Sequence, residues 1–359
     1  MRGGTSKGVF VHDRDLPSAV AERDAFILAL MGSPDPLQID GLGGARSSTS
    51  KLVTVTGSQR PGVDVEYLFA QVGVDVPAVD YAGNCGNLTA AVGPYAIDEG
   101  LVEATEPSTR VRLYNRNTNS LINVQVPVSG GRFDPAGDFE LSGVPGTGSE
   151  IVTEYLNPAG AVLGSALPTG NPVEWLEPAD GEPVAASLVD VAGPAVFVRA
   201  EDAGTTIDLS PDAANADQQF LGRLESIRAA AAVRLGLAAD QESATRTMPA
   251  LPRLALIGAA RESQSAPHQL AILATSMQRV HHACPLTVLM CAAAALYLPG
   301  TLPQQTGRRS ASGRTSIAHP KGIATIRVST SCSTGQITSV CASRTARRLM
   351  AGRAYVRRP

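Results

Sequence analysis

The predicted elements of the first half of the chain recur in the same order in the second half, and this repeat constrains the fold most strongly. Each half begins with a Gly turn that enters a short strand, followed by an amphipathic helix, a second strand and a turn before an apolar helix. These elements lie at 4–11, 17–31, 51–56 and 83–99 in the first half, and at 191–198, 217–237, 253–257 and 281–300 in the second. Strands that alternate with helices indicate an α/β protein. We therefore expect two similar halves that face each other and supply loops to one active site.

A cysteine bracketed by glycines stands at the strand-to-helix junction of the first half, in Gly83-Asn84-Cys85-Gly86-Asn87. Glycine lets the backbone turn tightly and approach a ligand closely. The first N–H groups of the following helix are unpaired and lie at the positive end of its dipole, so such a junction can bind a carboxylate or phosphate. The same environment favours thiolate over thiol. Cys85 is therefore a candidate base or nucleophile, and a small buried cysteine in a tight turn is the alternative.

Lysine is rare in this chain, because only Lys7, Lys51 and Lys321 occur among 30 basic residues. Each lies in a loop context rich in Gly, Ser or Thr, or beside Pro and Gly. An ammonium group is a compact charge whose pKa moves readily on desolvation, whereas a guanidinium group keeps its proton. The three positions predict a site that needs ammonium groups, and solvated surface positions are the alternative.

Composition excludes several classes of function. The net charge of -3 and the aromatic content of 4% argue against a nucleic-acid partner, which needs a basic surface and stacking platforms. The longest apolar run, 286–298, is too short to span a bilayer, and the opening stretch is polar, so we expect neither a membrane partner nor a signal peptide. Five cysteines without CxxC spacing fit reduced thiols better than a disulfide framework or a zinc site. We expect a cytoplasmic protein.

Ten stretches of the chain together resemble the PrpF family, the isomerases of methylaconitate type that are related to 4-oxalomesaconate tautomerases. The resemblance covers nearly the whole chain in the family's order. The stretches are MRGGTSKGVF, MGSPDPLQIDGLGGARSSTSK, GNCGN, VRLYNRNT, LPTG, SLVDVAGPAVFV, HHA, PGT, AHPKG and RTARRLMAG.

The resemblance implies the fold of diaminopimelate epimerase. This is an α/β (α+β) fold of two pseudo-symmetric domains, each a curled, mostly antiparallel sheet around a central helix, with the active site in the cleft between them. The Pro- and acid-rich stretch 172–183 is expected to cross between the domains. The expected N-terminal lobe is 1–180, with Lys51 and the GNCGN turn. The C-terminal lobe is 181–340, and the segment 341–359 is expected to return to the first lobe.

The resemblance also implies a proton shift in a small unsaturated tricarboxylate such as 2-methylaconitate or 4-oxalomesaconate, as a cis-trans or allylic isomerisation or a keto-enol tautomerisation. By motif match, the paired catalytic residues of the family, a lysine before a strand and the GNCGN cysteine, fall on Lys51 and Cys85. This chemistry needs a base, an acid and donors for the developing anion, and it requires no metal or redox cofactor. Either residue could remove the proton.

Candidate substrate-binding residues lie in the same Gly-rich turns. Hydroxyl and N–H groups in such turns can hold a carboxylate, although they can also cap their own loops. The candidates are Thr5, Ser6, Lys7, Ser48, Asn84, Gly86 and Asn87 from the first domain, and Lys321 and Gly322 from the second. The expected partners are the tricarboxylate and, as an open alternative, a second copy of the chain in a homodimer.

Cys284 supports a different hypothesis. If the halves are equivalent, Cys284 faces Cys85, and two opposed thiols are the arrangement of cofactor-free racemases and epimerases. A small buried residue at a helix start is the other interpretation of Cys284. A two-cysteine amino-acid racemase or epimerase is therefore one alternative function, and a non-catalytic accessory protein of an iron–sulfur dehydratase is another.

Overall fold

The computed structural model describes residues 1–179, 181–259 and 267–356 of the chain. The chain divides into two compact units: unit 1 comprises Met1–Glu154 and Ser343–Pro359, and unit 2 comprises Tyr155–Ala342. This division falls before the Pro- and acid-rich stretch 172–183, where the sequence predicts the crossing. The lobe boundaries expected at residues 180 and 340 stay predictions.

The described residues of unit 1 contain the longer strands of a mixed sheet, several two-residue strands and two α-helices. In chain order its elements are β1 (Arg2–Gly3), β2 (Ser6–Lys7), β3 (Val9–His12), α1 (Val20–Met31), β4 (Lys51–Gly57), β5 (Val65–Val72), β6 (Val79–Asp80), α2 (Gly86–Asp98), β7 (Ser108–Asn115), β8 (Ser120–Ser129), β9 (Arg132–Phe133), β10 (Phe139–Glu140), β11 (Thr147–Gly148) and β12 (Ile151–Leu156). A 3-10 turn, Asp13–Asp15, follows β3. Unit 1 gives way to unit 2 within β12.

Unit 2 contains a second mixed sheet region and the remaining helices. Its elements are β13 (Glu174–Leu176), β14 (Val184–Asp190), β15 (Pro194–Arg199), α3 (Pro211–Ala216), α4 (Gln218–Arg234), α5 (Gln241–Thr247), β16 (Arg253–Gly258), β17 (Leu270–Ser276), β18 (Arg279–Val280), α6 (Leu286–Ala295), α7 (Leu302–Thr306), β19 (Arg314–His319), β20 (Gly322–Thr330) and β21 (Ile337–Arg344). The last strand, β22 (Ala346–Arg347), belongs to unit 1 and pairs with β1.

The strand pairings of unit 1 recur in unit 2, which confirms the repeat predicted from the order of elements. In unit 1, β3 and β4 are parallel, β4 and β5 antiparallel, β5 and β7 parallel, and β7 and β8 antiparallel. In unit 2, β15 and β16 are parallel, β16 and β17 antiparallel, β17 and β19 parallel, and β19 and β20 antiparallel. Even the short strand before the central helix is repeated, since β6 pairs antiparallel with β5 and β18 with β17.

Each unit encloses one helix that is buried almost all round. Helix α2 is buried from Gly86 to Ile97, and α6 is buried over its whole length. A helix that is apolar on every face has no stable place at a surface, so both become the core on which the strands of their unit pack. In unit 1 the strands β1, β8 and β22 all contact α2.

The amphipathic helices cover the other side of the strands, as their spacing predicts. Ile27 and Met31 of α1 pack with Leu52 of β4, while Leu224 and Ile227 of α4 occupy the corresponding cluster of unit 2. Burial of one such side chain contributes about 1.5–3 kcal/mol, so these contacts fix each helix firmly to its sheet.

The Gly turn expected at the start of the second half is found and leads into β15. The stretch 186–199 forms two antiparallel strands, β14 and β15, because the residues between Asp190 and Pro194 include Ala192 and Gly193 with positive φ and close a hairpin. Pro285 is the N-cap of α6. In the described ranges no helix has the combined length and apolarity of a membrane span.

Candidate active site

Cys85 is the N-cap residue of α2, with an extended backbone at φ -112° and ψ 93°. It forms no disulfide and is 9% exposed. Its Sγ lies 3.8 Å from the Oγ of Ser6, a residue that the sequence places far away on β2. The thiol therefore sits where the first turn of the chain meets the N-terminus of the central helix.

The Gly turn before Ser6 lies directly against this helix terminus. A Cβ atom at Gly3 would lie 2.4 Å from the carbonyl oxygen of Asn87, and one at Gly4 would lie 2.2 Å from the Asn87 Oδ1. Gly4 also has a positive φ of 51°, a conformation that other residues seldom adopt. The turn can therefore approach α2 only because both positions lack a side chain. The approach brings Thr5 Oγ1 within 3.0 Å of the Asn87 Nδ2, which donates to it.

A buried hydrogen-bond network stabilises the GNCGN turn. The hydroxyl of Tyr67 lies 2.8 Å from the Oγ1 of Thr89 and 3.3 Å from the Oδ1 of Asn84. Thr89 Oγ1 also donates to the Cys85 carbonyl at 3.1 Å. Desolvation by burial raises the pKa of the Tyr67 phenol above its ordinary value, so Tyr67 acts as a neutral donor that orients the turn.

Lys51 is the first residue of β4 and is only 4% exposed. Its Nζ donates to the Oε1 of Gln71, which pairs with Lys51 across β4 and β5. The Nζ also lies 5.1 Å from the centroid of the Phe69 ring. The contacts of this ammonium group thus include an amide oxygen and an aromatic face, in a largely desolvated environment.

Gly8 lies between the start of β4 and the first turn of α2. A Cβ at this position would be 3.0 Å from the carbonyl oxygen of Lys51 and 2.8 Å from the Cδ1 of Leu88. The absence of a side chain therefore lets the backbone of Lys51 and the helix that begins after Cys85 pack on opposite sides of one residue.

The loop that precedes Lys51 borders the same turn. The backbone N–H of Lys7 donates to the carbonyl of Ser48 at 3.0 Å, and Ser48 is buried. A Cβ at Gly44 would lie 3.3 Å from the Lys7 Nζ, so this ammonium group lies against the loop. Unit 1 thus brings together Cys85, Ser6, Thr5, Asn84, Gly86 and Asn87 at the start of α2, and Lys7, Ser48 and Lys51 around β4.

The candidate substrate-binding residues of unit 2 are neighbours in the chain. Lys321 lies exposed in the tight turn between β19 and β20, where its N–H donates to the His319 Nδ1 at 3.2 Å, and the exposed Gly322 is the first residue of β20. Their contact with a substrate stays a prediction.

Cys284 is not the structural counterpart of Cys85. Gly100 follows α2 and Gly300 follows α6, and both have positive φ. The N-cap of α2 is Cys85 and the N-cap of α6 is Pro285. Gly100 lies as many residues after Cys85 as Gly300 lies after Pro285. Cys284 therefore corresponds to Asn84, one position before the cap. This offset does not favour the two-cysteine alternative.

Sequence reasoning missed the residues that support the site. Gln71 and Tyr67 are polar residues that point into the unit from a largely apolar strand, and that polarity is the only signal the sequence carries for them. Arg344, 4% exposed, lies in the RTARRLMAG stretch and donates from Nε to the Asn87 Oδ1 at 3.1 Å. Among the described residues, no group of His, Cys, Asp or Glu side chains is arranged to hold a metal ion.

The fold is similar to those of two solved structures. A solved structure of a probable proline racemase from Agrobacterium radiobacter is similar with a TM-score of 0.57 over 96% of this chain and 88% of that chain, at 11% identity. A methylitaconate-delta-isomerase structure is much more similar, with a TM-score of 0.77 and 39% identity over 99% of this chain and 94% of that one. The predicted two-part fold of the diaminopimelate-epimerase type is thereby confirmed.

The PrpF protein family model matches residues 1–357. A 3-methylitaconate isomerase of Eubacterium barkeri is 40% identical over 99% of this chain and 96% of its own length. A 2-methyl-aconitate isomerase of Shewanella oneidensis is 38% identical over 100% of this chain and 96% of its own. A 4-oxalomesaconate tautomerase of Pseudomonas putida is 39% identical over 92% of this chain and 88% of its own. The chain belongs to the PrpF family, as its motifs predict.

Proposed function

We propose that this protein is an isomerase that moves a proton within a small unsaturated di- or tricarboxylate of the methylaconitate, methylitaconate or oxalomesaconate type. The observation that carries the proposal is the position of Cys85 at the N-terminus of a buried helix, with Ser6 beside its sulfur and Lys51 on the strand that packs on Gly8. The names of the three relatives agree with the enzyme class.

In the proposed reaction, a base removes a proton from a carbon that a neighbouring carboxylate or carbonyl activates. The electron pair of the broken C–H bond delocalises into an allylic or enolate anion, and an acid returns a proton at a different carbon. Lys51 and Cys85 are the proposed pair, and either can take the first step. The net result is a shift of one proton and one double bond, so the chemistry is complete without a cofactor.

Binding of the carboxylates falls to the groups around this pair. The N–H groups of Gly86 and Asn87 belong to the first turn of α2, where they have no partner within the helix and meet the positive end of its dipole. The hydroxyl of Thr5 and the ammonium of Lys7 come from the Gly turn on the same side. Such fixed donors stabilise an anion more in a water-poor site than they would in water. Lys321 and Gly322 are proposed to add contacts from unit 2.

Deuterium exchange tests the proposed function directly. The protein is incubated with 2-methylaconitate, 3-methylitaconate and 4-oxalomesaconate in deuterated water, and isotope incorporation is followed by NMR. At least one acid should exchange, and Cys85→Ala and Lys51→Ala should each abolish that exchange. Cys332→Ala, at an exposed cysteine, is the matched control and should exchange like the wild type. Full activity in both site variants would refute the assignment of the pair.

A further inference from the structure

The buried guanidinium of Arg344 determines how the side-chain amide of Asn87 is oriented. Arg344 Nε donates to the Asn87 Oδ1 at 3.1 Å, and Arg344 Nη1 donates to the Ser343 carbonyl at 2.7 Å. A guanidinium group carries only donors, so the Asn87 atom that faces it has to be the oxygen. The amide nitrogen must then point the other way.

The other side of the Asn87 amide meets Thr5. The Asn87 Nδ2 donates to the Thr5 Oγ1 at 3.0 Å. A hydroxyl that accepts on one side still has its own proton to donate elsewhere. Thr5 is half-buried, whereas Asn87 and Arg344 are 3% and 4% exposed, so the Thr5 hydroxyl is the one group of the three that a ligand can reach.

The chain segment that carries Arg344 is itself anchored on the Gly turn. The Gly4 N–H donates to the Thr345 carbonyl at 2.9 Å, and Arg2 Nη1 donates to the same carbonyl at 3.0 Å and to the Thr345 Oγ1 at 2.9 Å. Arg344, Asn87 and Thr5 thus form a connected path whose two ends are fixed by the backbone. Hydrogen bonds in series polarise one another, and a charged donor at one end strengthens the whole path.

We propose that Arg344 is a positioning residue for substrate binding: by fixing the Asn87 amide, it directs the Thr5 hydroxyl proton toward a carboxylate of the ligand. This inference rests on the proposed function, because it takes the ligand to be a polycarboxylate. It gives the RTARRLMAG stretch a role, since that stretch carries the family's motif but none of the proposed catalytic residues.

A double-mutant cycle tests the path, with tricarballylate as an unreactive probe measured by calorimetry and turnover measured in parallel. Arg344→Met and Thr5→Val should each weaken tricarballylate binding and raise KM by about tenfold, with kcat changed much less. The double variant should be no weaker than the worse single variant, because both changes break one path. Arg347→Met is the matched control, because Arg347 lies on the same segment but is exposed. The Arg347→Met protein should bind tricarballylate as tightly as the wild type does.

A conservative pair separates orientation from packing. Arg344→Lys keeps a side chain with donors only and should restore affinity, whereas Arg344→Gln offers an acceptor, lets the Asn87 amide turn over and should stay weak. The Lys and Gln variants show whether Arg344 orients the Asn87 amide, even if Arg344→Met fails to fold. Equal affinities for the Lys and Gln variants, or additive losses in the cycle, would overturn the inference.

The inference and the proposed function fail differently. Wild-type turnover with unaltered KM and affinity in the Arg344 and Thr5 variants would remove the positioning role and leave the isomerase. Tightly bound tricarballylate without turnover of any of the three acids would remove the isomerase, while the cycle on tricarballylate still confirms or overturns the path. A wild-type protein that neither binds tricarballylate nor turns over an acid would overturn both.

Discussion

The ammonium of Lys51 donates to the Oε1 of Gln71, the residue directly opposite it on the neighbouring strand. Gln71 cannot turn away, because its Nε2 donates to the carbonyls of Ser47 and Ser50, each at 3.0 Å. The amide oxygen is therefore fixed in the direction of Lys51. Unit 1 uses strand register to hold the position of a proposed catalytic ammonium group.

Replacement of Gln71 by leucine should lower kcat more than it changes KM. The variant removes the acceptor of a charged hydrogen bond worth about 1.5–3 kcal/mol, which corresponds to a loss of about tenfold to a hundredfold if the geometry of Lys51 matters in the transition state. Steady-state kinetics with the acid found by deuterium exchange would measure it. Gln59→Leu, at an exposed glutamine between β4 and β5, is the control. An effect on KM alone would argue that Gln71 serves binding instead.

Gly4→Ala should destabilise the protein and reduce activity, because the new Cβ would lie 2.2 Å from the Asn87 Oδ1. Part of the loss is backbone strain at positive φ, about 1–2 kcal/mol. Gly130 is a matched control: its φ is 60°, and a Cβ added there would have no heavy atom within 4 Å. Urea unfolding of Gly4→Ala and Gly130→Ala would separate the two effects. A smaller loss for Gly4→Ala than for Gly130→Ala would contradict the close packing of the turn on α2.

Cys284→Ala should keep the proton exchange of the wild type, since Cys284 corresponds to Asn84 and not to Cys85. The substitution truncates a side chain that is 3% exposed, so the free energy of unfolding should fall by about 1 kcal/mol. Exchange measured by NMR and thermal unfolding would report the two quantities separately. Loss of exchange in a folded Cys284→Ala protein would bring back the mechanism with two thiols.

Asp190→Asn should change how stability depends on pH. Burial raises the pKa of the Asp190 carboxyl, and its Oδ1 has no hydrogen-bond partner among the described residues, while Oδ2 accepts from the N–H groups of Val162 and Leu163. The folded state therefore favours the protonated form. Its contribution to stability is present below the unfolded pKa and is lost as pH rises through the folded pKa.

Urea unfolding from about pH 4 to 7 would measure this effect, because this pH range starts near the ordinary pKa of aspartate. Relative to wild type, Asp190→Asn should gain stability as the pH rises. Asp138→Asn, at an exposed aspartate, serves as the control for the substitution itself. A gap between Asp190→Asn and wild type that does not vary with pH would show that Asp190 keeps one protonation state throughout.

The sequence predicted the features that depend on local pattern or on motifs. Helix α4 was expected over 217–237 and is found at Gln218–Arg234, because its apolar positions recur at helical spacing and Asp217 caps its start. The repeat of strand and helix order was also recognised, and the pairings of the two units confirm it.

The sequence could not show features that depend on register or on distant contacts. Gln71 faces Lys51 only because β4 and β5 pair at one particular offset, which no local pattern specifies. Arg344 and Asn87 form a hydrogen bond although most of the sequence lies between them. Cys284 lies one residue before the position that corresponds to Cys85, and this follows only from where α6 begins. Helix ends are the least certain part of a sequence-based assignment.

The late position of Arg344 in the chain also bears on how the protein is made. Unit 1 takes most of its residues from the first part of the chain, but β1 pairs with β22, and Thr345 binds the Gly turn. A nascent polypeptide that has emerged only as far as Glu154 lacks these partners, so its Gly turn is without the hydrogen bonds with Thr345 and β22. Ribosome-bound intermediates of this protein are therefore expected to acquire affinity for polycarboxylates only after translation has passed residue 345.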